Sequence, residues 1–379
     1  MKGPNRLDAS ALAHWWRSVD RMLLLAFAAL MAIGMILLLA AGPATAARLG
    51  IANAFHFPMR QAAFVPLAAA LAIGVSMLSQ LNARRLGAIA FAAGLGAMAL
   101  LPLIAGEVNG ARRWISLGGF TLQPSEVMKS GFVVVAAWML SEKRRNPAFP
   151  GVAIAMALYV VAVALLVAQP DYGQAALLTA VWMVMFFISG CNLFWIAAMG
   201  GGAIGILAFG YVFSDHIAAR IIAFLDPSAD GNYQVRQSVE AIATGGLTGV
   251  GDGAGLVKTR LPDAHADYIF AVAGEQYGFF FCLIIIALFA AFVVRAFMNA
   301  ARADSAFGQC AVAGLGALIG LQAFVNMGVA LRALPAKGMT LPFISYGGSS
   351  LLAAALAVGL LLAFTRRPKR VRHRREIMA

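Results

Sequence analysis

The chain has 379 residues, 61% of them hydrophobic and 12% charged, with a mean hydropathy of +0.82 and a net charge of +13. Soluble domains carry about twice that share of charge, so disorder, a secreted disulfide scaffold and an ordinary cytosolic enzyme are excluded. A polytopic membrane protein remains.

A helix crosses the hydrocarbon core with ~20 apolar residues. Ten runs approach that length: 22–42, 62–80, 86–106, 125–141, 149–168, 174–190, 193–213, 267–297, 308–330 and 348–364. A short polar break at Cys191-Asn192 divides the sixth from the seventh. Ala44-Thr45-Ala46 has the form of a signal-peptidase site, but the run before it is about twice the length of a secretory apolar region, so a retained first span is expected. Cys191, Cys282 and Cys310 lie far apart, and the five histidines show no ligand spacing, so neither a disulfide framework nor a zinc site is implied. The expected fold is a single all-α polytopic domain over 1–379, with one long outer loop at 214–266 between spans seven and eight.

Lys and Arg in short loops set the orientation. With ten spans both termini share one side, and that side holds 18 of the 29 bases but 5 of the 16 acids. Segments 1–21 and 365–379 are therefore cytoplasmic, and eleven bases face eleven acids on the outer side or within spans. The excess of +13 reports topology and leaves nothing for nucleic acid to explain, although the basic tail also suits anionic membrane lipid.

Four polar stretches gather on the outer side. In the first, GARRWI at 110–115 leads into QPSEVMK at 123–129. Pro124 suits a helix start, and Glu126 and Lys129 then share one face, open outward to an anionic ligand. The second, QPDYG at 169–173, is a turn in which Asp171 is placed to cap the next helix. In the third, Val235, Val239 and Ile242 mark a short surface helix, and the glycine-rich 245–255 that follows reads as a flexible gate or a ligand-hugging loop rather than a dinucleotide loop. It ends in LPDAHADYIFAVAGE at 261–275, where Asp267, Ala271 and Glu275 share a helix face. Asp267 at a span's mouth beside His265 is a proton-acceptor position. In the fourth, 332–350, two prolines and a Gly-Gly-Ser-Ser start make irregular backbone whose N–H groups, with Lys337 and Ser345, could hold an anion.

Taken together and in order, these segments resemble the SEDS family (shape, elongation, division and sporulation), polytopic glycosyltransferases of bacterial cell-wall synthesis. The resemblance rests on GARRWI, QPSEVMK, QPDYG, YQVRQS, GGLTGVG, LPDAHADYIFAVAGE and LPFISYGGSS, and spans nearly the whole chain. The arginine pair at 112–113 and the form of 334–350 are closer to the division branch than to the elongation branch. The resemblance implies that Asp267 is the essential carboxylate and that Arg113, Glu126 and Lys129 bind substrate; Glu275, Lys337 and Ser345 are further substrate-binding candidates. Two departures stand out. His265-Ala266-Asp267-Tyr268 replaces the family's His-Thr-Asp-Phe, and Glu275-Gln276 replaces two consecutive glutamates.

The implied substrate is lipid II, an undecaprenyl-pyrophosphate-linked disaccharide pentapeptide, polymerised at the outer face by an inverting displacement. Asp267 would take the acceptor hydroxyl's proton. Arg113 and Lys129, with a divalent cation such as Mg or Mn, would meet the leaving pyrophosphate. A class B penicillin-binding transpeptidase and other division membrane proteins are the implied partners. The rival reading is a lipid II flippase, which would need polar groups at midplane or in the inner halves of spans, broken helices and repeat symmetry; the sequence shows no internal repeat, and its polar clusters lie on the outer side. An elongation-type polymerase is the other alternative.

Overall fold

Without water in the hydrocarbon core, a spanning chain has to close its backbone hydrogen bonds within itself, and helices do so locally. A computed structural model describes residues 11–107, 112–118, 120–190, 233–251, 255, 257–335 and 338–366, with scattered positions between 194 and 226. The helices in these regions are α1 (Ala11–Ser18), α2 (Arg21–Arg48), α3 (His56–Ser76), α4 (Gln80–Ile104), α5 (Pro124–Arg145), α6 (Gly151–Ala168) and α7 (Tyr172–Ile188), then α8 (Tyr233–Gly245), α9 (Val257–Arg260), α10 (Ile269–Ala301), α11 (Ala306–Ala330) and α12 (Gly348–Thr365).

Seven of these, α2, α3, α4, α6, α10, α11 and α12, are long and apolar enough to cross a membrane, and α7 is a shorter apolar helix. They match eight of the expected spans. The span expected at 193–213 falls largely outside the described residues, as do the break at Cys191-Asn192 and the start of the long loop. Helix α5 is the informative case, because it is too polar to qualify by composition. Its first part is nonetheless buried from Pro124 to Ala137, with Val127 alone half-covered. It is surrounded by protein, and there a charged pair is tolerated.

The centre of the bundle can be read from burial. The most apolar windows of α11 and α12 are 78% and 72% buried, against 22% for α6, so α11 and α12 are central and α6 is peripheral. Small residues bring the backbones together, as expected where packing rather than the hydrophobic effect drives helix association. At the α4–α5 crossing, a Cβ on Gly131 would lie 2.3 Å from the Phe91 backbone N, and one on Gly94 would lie 2.7 Å from Met128 Cβ.

The all-α expectation needs one correction. Strands β1 (Ile115–Leu117) and β2 (Phe120–Leu122) form an antiparallel hairpin, pairing Ile115 with Leu122 and Ser116 with Thr121. Gly118 at φ 53° supplies the turn conformation that a two-residue hairpin connection demands.

The glycine-rich segment also departs from expectation, because 245–251 is tied down rather than gate-like. Helix α10 breaks at Gly278, where φ is 78° and ψ −174°. Such a break frees the carbonyls of Glu275 and Gln276 and the N–H groups of Phe279 and Phe280. Val250 N–H donates to Glu275 O at 2.9 Å and Gly251 N–H to Gln276 O at 3.2 Å. In return Phe279 N–H donates to Gly246 O at 2.9 Å and Phe280 N–H to Leu247 O at 3.3 Å. The loop thus replaces the lost helical bonds one for one. Glycine is required because the backbones touch: a Cβ on Gly245 would sit 1.9 Å from Gly274 O.

Gly131→Leu is expected to lower stability by about 1–3 kcal/mol or more through overpacking at the α4–α5 crossing. Gly96→Ala, where nothing lies within 4 Å of the new Cβ, should leave it unchanged or slightly raised. Thermal unfolding of both variants in detergent checks the pair.

Candidate functional site

The segment 261–268 enters α10 through a tight turn. Asp263, at φ 52°, lets its carbonyl accept from the N–H groups of Ala266 (3.0 Å), Asp267 (3.0 Å) and Tyr268 (3.3 Å). Aspartate is one of the few side chains that visits this left-handed region readily. The three successive carbonyls of 265–267 are then held from elsewhere. His265 O accepts from Tyr346 N–H at 2.9 Å, Ala266 O accepts from the Ser345 hydroxyl, and Asp267 O accepts from Asn326 Nδ2 at 2.8 Å. Asn326 donates also to Met339 O at 2.6 Å, and Ser345 Oγ accepts Leu341 N–H at 2.8 Å. Asp267 is therefore positioned through its backbone, and among the described residues no donor hydrogen-bonds to its carboxylate.

The surroundings set its chemistry. Burial, and then the Asp263 carboxylate, push Asp267 up to about 7. Gly338 leaves room beside it, since a Cβ there would lie 3.0 Å from Asp267 Oδ2. His265 is moved the other way: burial, with a smaller contribution from Arg48, lowers it to about 4 against the pull of Asp263, so its ring is neutral at pH 7. That ring packs on Phe57 at 4.4 Å and Tyr346 at 5.3 Å, and its Nδ1 has no hydrogen-bond partner among the described residues.

The Glu126–Lys129 pair lies inside the protein. It does not open outward as the sequence suggests: Glu126 is 7% exposed and Lys129 1%. Three donors of Lys129 Nζ meet three acceptors, Glu126 Oε1 at 3.0 Å, Gln322 Oε1 at 3.3 Å and Gln174 Oε1. Gln174 Nε2 completes the ring by donating to Glu126 Oε1 at 2.7 Å. Gln322 Nε2 donates onward to Thr340 O at 3.2 Å. Gln322 and Asn326 are one turn apart on α11, so this helix carries a polar relay from the buried ion pair to the backbone of Asp267. Sequence reasoning missed both residues. Their signal is an i, i+4 pair of amides inside an otherwise apolar span.

The remaining stretches close the same end of the bundle. Arg113 donates from Nε to Gln169 O at 2.9 Å and from Nη2 to Pro170 O at 2.6 Å, clamping the 169–173 turn. Asp171 caps α7 as expected, accepting Gln174 N–H at 3.4 Å, and burial raises its carboxyl. Gln123 N–H donates to Ser349 Oγ at 2.9 Å, joining the start of α5 to the start of α12. Glu275 is fully buried, and Gly255 approaches it so closely that a Cβ would lie 2.8 Å from its carboxylate. Ala271, between Asp267 and Glu275 in sequence, is also fully buried, so the space between the two carboxylates is filled by packing. Lys337 lies outside the described residues. Two cations that sequence reasoning passed over, Arg48 and Arg60, act on His265 and Tyr346 respectively. No group of three His, Cys, Asp or Glu side chains among the described residues could hold a metal ion.

Comparison with known proteins places this geometry in context. The sequence profile of the FtsW, RodA and SpoVE family, described as "Cell cycle protein", matches residues 20–370. A probable peptidoglycan glycosyltransferase FtsW of Caulobacter vibrioides is 44% identical over 362 residues, covering 96% of this chain and 93% of the relative. The protein of the same description from Thioalkalivibrio sulfidiphilus is 38% identical over 356 residues, covering 91% and 88%. Among solved structures, a chain of a peptidoglycan synthase complex coordinating polymerization and crosslinking superimposes with a TM-score of 0.77 at 28% identity, over 92% of this chain and 98% of that one. The rod shape determining protein RodA of Thermus thermophilus gives 0.68 at 27% identity, over 92% and 97%.

Lys129→Met leaves Glu126 buried without its cation, and should cost about 3–5 kcal/mol of stability. The double variant Glu126→Gln/Lys129→Met is expected to recover part of that loss. Thermal unfolding in detergent, read as a double-mutant cycle, measures the difference.

Proposed function

The chain belongs to the FtsW, RodA and SpoVE family of cell cycle proteins, and from that premise we propose that it polymerises lipid II into glycan strands at the outer face of the cytoplasmic membrane, during septal wall synthesis. The reading is supported by relatives named peptidoglycan glycosyltransferase FtsW, at 36–44% identity over most of the chain. The single observation that carries it is Asp267: a half-buried carboxylate, free of hydrogen-bond donors among the described residues, on a backbone pinned at three successive carbonyls.

In the proposed reaction the acceptor sugar hydroxyl attacks the donor's anomeric carbon. A new C–O bond forms as the bond to the pyrophosphate oxygen breaks, and the pyrophosphate leaves with the electron pair. Asp267 takes the hydroxyl proton as the nucleophile commits. A carboxylate raised to about 7 is a stronger base than an ordinary aspartate, and above that pH more than half of it is ionised. One catalytic carboxylate and one displacement imply inversion. Glu126 and Lys129, enclosed and mutually satisfied, serve as positioning residues acting through Gln322 and Asn326. Ser345 likewise spends its hydroxyl on the Ala266 and Leu341 backbones. The leaving pyrophosphate is met by Arg48 and Arg60, the cations that act on His265 and Tyr346, while Arg113 holds the 169–173 turn. A divalent cation would have Asp267 and Asp263 as its nearest carboxylates, too few for a protein-held site, and no step is assigned to it.

The proposal includes the topology drawn from charge: ten spans in one domain, both termini cytoplasmic, and the Asp267 end facing out. It also includes a class B penicillin-binding transpeptidase as partner, in line with the structural likeness to a peptidoglycan synthase complex. Transport finds no support in the broken helix. The break at Gly278 lies about 14 Å from the start of α10, near mid-depth, but its freed backbone groups are taken by the 246–251 loop rather than left for a ligand.

Purified chain with its transpeptidase should convert lipid II to glycan strands, and Asp267→Asn should lose this by at least about 100-fold while keeping its unfolding temperature. Full synthesis by Asp267→Asn would remove the assignment. Lipid II crossing proteoliposome bilayers, with no polymer from either protein, would favour the flippase.

Activity should rise with pH through about 7, as the Asp267 base loses its proton. Asp263→Asn removes a neighbouring negative charge that raises Asp267, so its rate profile should shift to lower pH. Initial rates from pH 5 to 9 test both.

A further inference from the structure

We propose that the chain carries, at the end of the bundle opposite Asp267, a binding site for the phosphate headgroup of an anionic lipid. A cavity of about 1040 Å³ opens where the N-termini of α2 and α4 meet the C-terminal ends of α10 and α12, with α1 along one side. Its volume is that of a ligand pocket rather than a packing defect. Five arginines line it: Arg17, Arg21, Arg295, Arg302 and Arg366.

One carboxylate, Asp20, lines it with them, and that group is already committed. It caps α2 through the N–H groups of Met22 and Leu23, and accepts from Arg295 Nε at 2.8 Å and Asn299 Nδ2 at 2.7 Å. Several of the cations are held in place. Arg366 donates to Ser18 Oγ at 3.2 Å and Ser76 O at 2.8 Å, and the Arg21 guanidinium sits 5.2 Å over the Trp16 ring. Cations gathered in a cavity repel one another unless an anion enters, and the cost rises as water is excluded. The flanking segments 1–10 and 367–379 are themselves basic in sequence, so the counter-charge has to come from another molecule.

The rim points to an amphiphile. Met22 lines the cavity and is 62% exposed, and Leu25, one turn along α2, is 66% exposed. An ion-binding pocket for soluble phosphate needs no such apolar edge, whereas a lipid would lay its acyl chains along it. A basic pocket between spans, at headgroup depth, is a site for phosphate-bearing lipids. Under the topology proposed above, on which only this last point rests, the lipid belongs to the inner leaflet.

The full chain purified in detergent is titrated with dioleoyl phosphatidylglycerol and with cardiolipin, followed by native mass spectrometry. Dioleoyl phosphatidylcholine is the neutral control, and inorganic pyrophosphate is the arm without acyl chains. Anionic lipid should bind saturably, and Arg21→Gln/Arg302→Gln should weaken it by about tenfold or more. Arg302→Glu should do the same; its guanidinium has no hydrogen-bond partner among the described residues, so folding does not depend on it. The charge-matched control Arg85→Gln/Arg145→Gln, exposed and outside the cavity, should bind like wild type. Equal loss in the control, or equal binding of phosphatidylcholine, would overturn the site. Pyrophosphate binding as tightly as lipid would overturn the lipid assignment. None of these readouts involves glycan synthesis, so their failure leaves the polymerase reading untouched.

Discussion

Backbone amides that lose their helical partners at membrane depth have no water to turn to, and the architecture of this protein depends on how it meets that constraint. Among the described residues, the chain leaves helical geometry around Asp267 at the 261–268 turn, the break at Gly278 and the 338–347 segment. At each, the freed groups find a specific partner. Loop 246–251 exchanges hydrogen bonds with the two sides of the Gly278 break, and the carbonyls of 265–267 are met by Tyr346, Ser345 and Asn326. Irregular backbone therefore supports irregular backbone. The region that looks loose in composition is ordered by the same requirement that makes the spans helical.

A consequence is that most polar side chains near Asp267 are occupied with structure. Ser345, Asn326 and Gln322 spend their donors on backbone carbonyls, and Lys129 spends its donors on three side-chain oxygens. Asp267 stands apart as the carboxylate whose backbone is fully held while its side chain is left for something else. Burial of that group, with Asp263 close by, destabilises its charged form and raises its basicity. Rigid placement and a tuned acid thus arise from one arrangement, since the clamps that fix the turn also bury it.

Charge divides the molecule along the same axis. The Asp267 end mixes acids and bases inside hydrogen-bond networks, and the opposite end gathers arginines around a cavity with a single, already committed carboxylate. Helices α2, α10 and α12 touch both ends, so the two electrostatic environments are built on shared rods.

Much of this was legible in the amino-acid sequence. Runs of ~20 apolar residues mark spans because helix length and bilayer thickness are linked locally, and nine of the ten expected spans coincide with described helices. Charge bias between loops is equally local, and so are the motifs that carry the family resemblance and the capping role of Asp171. Tertiary structure alone decided that Glu126 and Lys129 are enclosed, that Gln322 and Asn326 link them to the Asp267 turn, and that a glycine-rich loop repairs the break in α10. The hairpin at 115–122 also escaped, because two three-residue strands are too short for a periodic signal. Each of these depends on which distant carbonyl or side chain comes within about 3 Å. Residues separated by scores or hundreds of positions acquire that relation only when the helices pack.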